Sequence, residues 1–88
     1  MDSPASTKCV LLPYCVIRAI ARIREYGKNK YGDAESWRKV EDERYKDAMM
    51  RHALAYIDDP AGVDEESGYP HLWHLACNVA FLIEKAKG

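Results

Sequence analysis

The chain has 88 residues, enough for one small domain and no more. Hydrophobic residues make up 48% and charged residues 31%, the balance of a globular chain with an ordinary surface. A formal net charge of -1 gives no global pull toward nucleic acid or a membrane, so neither is expected as a partner.

Residues 1–11 read as a flexible lead-in, polar through Lys8, and residues 12–88 as a single all-α domain. The most apolar run, Cys9 to Ile17, is interrupted by Pro13 and is too short for a bilayer, which takes roughly 20 apolar residues. With a single early lysine and no cleavage-type site, it is also a poor secretory signal. The three cysteines, Cys9, Cys15 and Cys77, are odd in number and form no CxxC pair. Reduced thiols in a cytoplasmic setting are therefore expected.

A first helix is expected from about Pro13 to Tyr26, with Val16, Ile17, Ile20 and Ile23 as its apolar stripe and Gly27 as its stop. The stretch from Lys28 to Trp37 reads as a loop pinned by Tyr31 and Trp37. Its lysines and aromatics also suit a ligand-binding loop. A second helix covers about Glu41 to Ile57. Tyr45, Ala48, Met49, His52 and Tyr56 recur at helical spacing and form its buried face. Asp47 and Arg51 lie i, i+4 apart on a different face and suit an ion pair. After the breaker Asp58-Asp59-Pro60-Ala61-Gly62 and a loop to Tyr69, a third helix runs from Pro70 to about Ala86. Its expected apolar stripe is Leu72, Leu75, Ala76, Val79, Leu82 and Ile83, with His71, His74 and Asn78 at the edge of the buried seam. Three short helices bury little on their own, so a homodimer or higher homo-oligomer is expected.

The last third of the chain carries the chemistry. His71, His74 and Asn78 fall at i, i+3 and i+7, on one helical face, just after the acidic triplet Asp64-Glu65-Glu66. With His52 on the neighbouring helix, all three histidines can converge between two helices. Neutral imidazole is the commonest metal ligand, and a nearby carboxylate adds oxygen or orients a ring. His52, Glu65, Glu66, His71 and His74 are the candidate metal ligands, for a borderline ion such as zinc, manganese or iron. Glu66, His71 and His74 are the candidate catalytic groups. Lys28, Lys30 and Arg51 are candidate phosphate contacts, with Tyr45 and Asn78 orienting a nucleotide. Plainer readings stand beside these. HxxH is a common pair, His52 also suits a hydrogen-bonded core position, and the acidic triplet also suits a helix N-terminus, worth roughly 0.3–1 kcal/mol per charge. In the same vein, Ser67 suits an N-cap, and Arg51 with Asp47 a solvated ion pair of little weight.

Four segments taken in order, Arg24 to Gly32, Trp37, Arg44 to His52, and Asp64 to Asn78, resemble the N-terminal domain of phage-type dATP/dGTP diphosphohydrolases. That family is similar to the MazG-like all-α nucleotide pyrophosphohydrolases, and the likeness extends from about Leu12 to Glu84. The resemblance implies a helical bundle completed by oligomerisation, a nucleotide substrate and a phage or prophage origin. It also implies cleavage between the α and β phosphates to NMP and pyrophosphate, with Mg²⁺ or Mn²⁺ held by ExxE and ExxD carboxylates. Here the corresponding slots of the third helix are His71 and His74, and the buried face of the second helix carries Tyr45 and His52. Two functions follow. One is a divalent-metal-dependent purine (d)NTP pyrophosphohydrolase, with Mg or Mn as the resemblance implies or Zn or Fe as the histidines allow. The other is a non-catalytic helical oligomer that binds a nucleotide or a partner protein.

Overall fold

The computed structural model describes residues 12–87. The expected lead-in, residues 1–11, lies outside them. The described residues form three helices, α1 (Tyr14–Tyr31), α2 (Asp42–Asp58) and α3 (His71–Lys87), with a 3-10 turn at Ser36–Lys39 between the first two. The fold is all-α, as the periodicity predicts.

Helix α1 does not stop at Gly27 but runs through it and ends four residues later, at Tyr31. A single glycine inside a helix costs only about 1 kcal/mol, and nothing crowds Gly27. The true stop is Gly32, left-handed at φ 74°, whose N–H donates to the Lys28 carbonyl at 2.7 Å. Lys28 and Lys30 therefore stand on the last turn of a helix, where their charge suits its negative end, and not on a loop. Tyr31, expected as an anchor, is exposed, whereas Trp37 stacks on Phe81 of α3 at 4.6 Å.

The α2 and α3 boundaries fall within about a residue of those predicted. The two helices run antiparallel. At one end Lys85 pairs with Asp42 at 2.6 Å and also donates to the Val40 carbonyl; at the other, His52 meets His71. Helix α3 is the spine. Both α1 and α2 pack on it, and they are joined through it rather than by packing on each other. The gap between α1 and α2, floored by α3, is the main cleft.

The face of α3 that lies inside is not the expected one. Leu72, Val79 and Ile83 of the expected core stripe are exposed, Ile83 at 66%. Cys77 and Asn78 are buried instead, at 1% and 9%. On α1, Val16 and Ile17 are likewise exposed while Ala19 and Ile23 are buried. On α2 the predicted face holds, with Tyr45 and His52 buried. Met50, Leu54 and Ile57, on the side opposite His52, are exposed. No described helix is long and apolar enough to cross a membrane.

Candidate functional site

The cleft has a volume of about 620 Å³ and two chemically distinct ends. One end is aromatic and basic. The 3-10 turn delivers Trp37 onto Phe81, Tyr45 leans on the same phenyl ring at 5.1 Å, and the Tyr45 hydroxyl donates to the Trp37 carbonyl at 2.7 Å. Arg24 of α1 lies over both Phe81 and Trp37, at 5.3 and 5.7 Å from the ring centres, and donates to the Ala34 carbonyl. Arg44 and Arg51, seven residues apart on α2, line the same cleft. Arg51 holds Asp47 at 3.3 Å, the pairing that the i, i+4 spacing predicts.

The other end holds the histidines. His52 Nδ1 and His71 Nδ1 face each other at 2.9 Å. The His74 ring stacks on His52 with centroids 4.7 Å apart and planes 10° apart. Asp64 reaches this group because the loop before α3 is folded back on itself. Val63 and Pro70 form a bridge, and the Asp64 N–H donates to the Tyr69 carbonyl at 2.8 Å. Gly68, left-handed at φ 76°, closes the turn by donating to the Asp64 carbonyl at 2.8 Å. Ser67 is part of this loop rather than an N-cap of α3. Its N–H donates to Asp64 Oδ2 at 2.9 Å and its hydroxyl lies 2.6 Å from His74 Nε2. His74 Nε2 is 4.0 Å from the same carboxylate oxygen.

Burial sets the protonation of this end. It pushes the His52 pKa down to about 4, and the neighbouring His74 and His71 push the same way. Burial also lowers the pKa of His74, against the opposing pull of Asp64. For Asp64, burial resists ionisation, but the Ser67 backbone N–H and the His74 ring outweigh it and hold the carboxyl below its usual value. Two neutral imidazoles thus sit beside one ionised carboxylate.

The predicted site residues divide into three groups. His52, His71 and His74 come together, and Asp64 completes the cluster where Glu65 and Glu66 were expected. Glu66 instead pairs with Lys30 across the cleft mouth, a contact that lowers its pKa and raises that of the lysine. Glu65 is exposed and outside the cleft, as is Lys28. Tyr45, Arg51, Lys30 and Asn78 all line it. Sequence reasoning passed over Arg24, Arg44, Tyr26 and Phe81, which line it too. A signal was present: His74, Asn78, Phe81 and Lys85 continue one helical stripe at i, i+4, i+7 and i+11.

Cys77 is simply packed, its thiol pushed up to about 11 by burial.

The described residues thus form an all-α domain whose cleft is aromatic and arginine-lined at one end and closed by a histidine cluster at the other. The comparison with known families is specific. The family model described as dATP/dGTP diphosphohydrolase, N-terminal, matches residues 2–88, and the chain belongs to that family. No curated protein and no solved structure matches the chain.

Proposed function

We propose that this domain binds a purine deoxynucleoside triphosphate in the cleft and hydrolyses it to the monophosphate and pyrophosphate. The observation that carries the reading is the joining of three kinds of group in one cavity. A stacked aromatic wall suits a base, guanidinium groups on one helix suit phosphates, and a neutral imidazole suits proton transfer. The family name supplies the reaction class.

In this reading the base lies against Trp37 and Phe81, with the Asn78 amide beside its edge. Arg44, Arg51 and Lys30 take the phosphate charge, Arg51 exchanging its exposed partner Asp47 for the ligand. Water attacks phosphorus as the α–β bridging P–O bond breaks, and pyrophosphate leaves with the bond's electrons. The proton lost by water passes to His74, with the Ser67 hydroxyl as relay.

A divalent ion belongs to this reading as a proposal, and the side chains decide which kind they fit. An all-oxygen magnesium cluster does not fit them. Asp33, Asp64 and Glu66 are the carboxylates lining the cleft. Glu66 is held by Lys30 and Asp33 by the Glu35 N–H, and Asp64, which accepts from the Ser67 N–H through one oxygen, is a single carboxylate, too few for such a cluster.

The test is turnover of a panel of dNTPs and NTPs with Mg²⁺, Mn²⁺, Co²⁺ or Zn²⁺ supplied in turn, reading pyrophosphate and orthophosphate separately. Pyrophosphate with a purine monophosphate is the expected result. Orthophosphate alone would place the cut at another bond and overturn the reading. The scarcity of free carboxylates favours a second reading, a nucleotide-binding module without turnover. Thermal stabilisation by dGTP or dATP with no product under any ion would establish that one.

The homo-oligomer expected from chain size is proposed on the outer faces of α2 and α3. Exposed apolar residues recur there at helical spacing, as surfaces between subunits do. Sedimentation of the native chain as a dimer or larger is the expected result, and a monomer at micromolar concentration would remove the proposal.

A further inference from the structure

His52 Nδ1 and His71 Nδ1 face each other at hydrogen-bond distance, a spacing that two ligands of one ion also take. We infer that His52, His71 and Asp64 form a binding site for one first-row transition ion, of the zinc or cobalt kind, and not for magnesium. One donor atom from each of the three residues lies within 4.8 Å of the other two. The two nitrogens are 2.9 Å apart. Two nitrogens bound side by side to one ion at about 2.0–2.1 Å stand roughly 3 Å apart, so the pair already has the spacing of ligands to a common centre.

The donor set selects the ion. Two imidazoles and one carboxylate suit zinc, iron, cobalt or manganese, whereas magnesium prefers oxygen and retained water. The surroundings support ligation. His52 is 8% exposed and sits on the rigid middle of α2, and His71 opens α3. Asp64 is fixed by the Val63–Pro70 bridge and by the Ser67 N–H. His74 stands behind the set, its Nε2 engaged by the Ser67 hydroxyl, and stacks on His52 so that the ring keeps its angle. An imidazole offers a lone pair to an ion, and a carboxylate offsets part of the ion's charge.

The inference goes beyond the proposed hydrolysis and does not depend on it, because binding is read on the protein without nucleotide. The native chain, stripped with chelator, is titrated with Co²⁺ and followed by its visible d–d absorption and by thermal midpoint. One Co²⁺ per chain is expected, displaced by equimolar Zn²⁺ and untouched by millimolar Mg²⁺. His71→Gln and Asp64→Asn should each weaken binding 10-fold or more, while Glu65→Gln and Glu66→Gln leave it within 2-fold. Circular dichroism of each variant establishes that it is folded, and because His71 and Asp64 come from separate elements, one folded variant of the two suffices. Absence of the cobalt bands, equal affinity in the folded His71→Gln or Asp64→Asn variant, or displacement by millimolar Mg²⁺ would overturn the site. Cobalt binding with no nucleotide turnover under any ion would leave it standing and remove only the hydrolysis.

Discussion

The two sides of the α2–α3 pair are chemically inverted. The side facing the cleft is buried and polar, with His52, Asn78 and the Tyr45 hydroxyl. The outer side is exposed and apolar, with Met50, Leu54 and Ile57 on α2 and Leu72, Val79 and Ile83 on α3. A domain that only had to fold would do the reverse. Polar groups are kept inside because they partner one another: Tyr45 with the Trp37 carbonyl, His52 with His71, His74 with Ser67. No fully enclosed side-chain nitrogen or oxygen among the described residues lacks a hydrogen-bond partner. The inner side is thus satisfied by contacts within the chain, and the outer side keeps its apolar residues exposed.

Several measurements sharpen or break this contrast. The largest effect should come from the inner side. Tyr45→Ala removes a ring packed on Phe81 and a buried hydrogen bond, and should destabilise the domain by about 3 kcal/mol in urea unfolding. Tyr45→Phe, which loses only the bond, should cost about 1 kcal/mol. Equal losses would mean that the ring contributes nothing.

Acid should act on the inner side as well. The folded pKa of His52 is lowered to about 4 from an ordinary 6.5, so the unfolded chain binds the proton more readily. Its contribution to stability is complete above pH 6.5 and is lost as pH falls toward 4. His71, His74, Asp64 and Arg51 surround the ring, and the Asp64 charge opposes part of the loss. For chelator-treated protein the unfolding free energy should fall by on the order of 1–2 kcal/mol between pH 7 and 4.5, allowing for solvent in the cleft. His52→Gln should flatten that slope. An unchanged slope in the variant would assign the acid sensitivity elsewhere.

Arg44→Ala and Arg51→Ala should each raise the apparent Kd for a purine triphosphate about 10-fold, roughly 1.4 kcal/mol, with little change in melting temperature. Both arginines are exposed on α2, which keeps the structural cost low. A large stability loss without a binding loss would show that they support the fold instead.

The smallest intrinsic effect belongs to the outer side. Leu54→Glu and Ile83→Glu replace residues that are 60% and 66% exposed, and should alter the stability of the single chain by no more than about 0.5 kcal/mol. Their expected signature is a shift to monomer in sedimentation. A large loss of intrinsic stability would show that this face packs within the chain.

Much of the fold was legible because helical periodicity is local. The α2 and α3 boundaries follow from breakers and from the apolar repeat, and the i, i+3, i+7 set His71, His74 and Asn78 does share one face. The convergence of His52 with His71 and His74 was readable only on the assumption that the two helices pack side by side, which the twelve residues between them do not fix. The end of α1 was misread because either of two nearby glycines could stop a helix, and only the left-handed backbone at Gly32 distinguishes them.

Sequence by itself determined three helices, the histidine face and the membership of Tyr45 and His52 in one buried stripe, all of which depend on spacing along a single element. Tertiary structure alone decided that α3 turns its polar strip inward, that Asp64 and not Glu65 or Glu66 meets the imidazoles, and that Arg24, Arg44 and Phe81 share a cleft with them. These choices depend on the direction in which α1 and α2 approach α3, and on a loop held by a bridge and one left-handed glycine. Such contacts join residues far apart in the chain, and no periodicity within one segment encodes them.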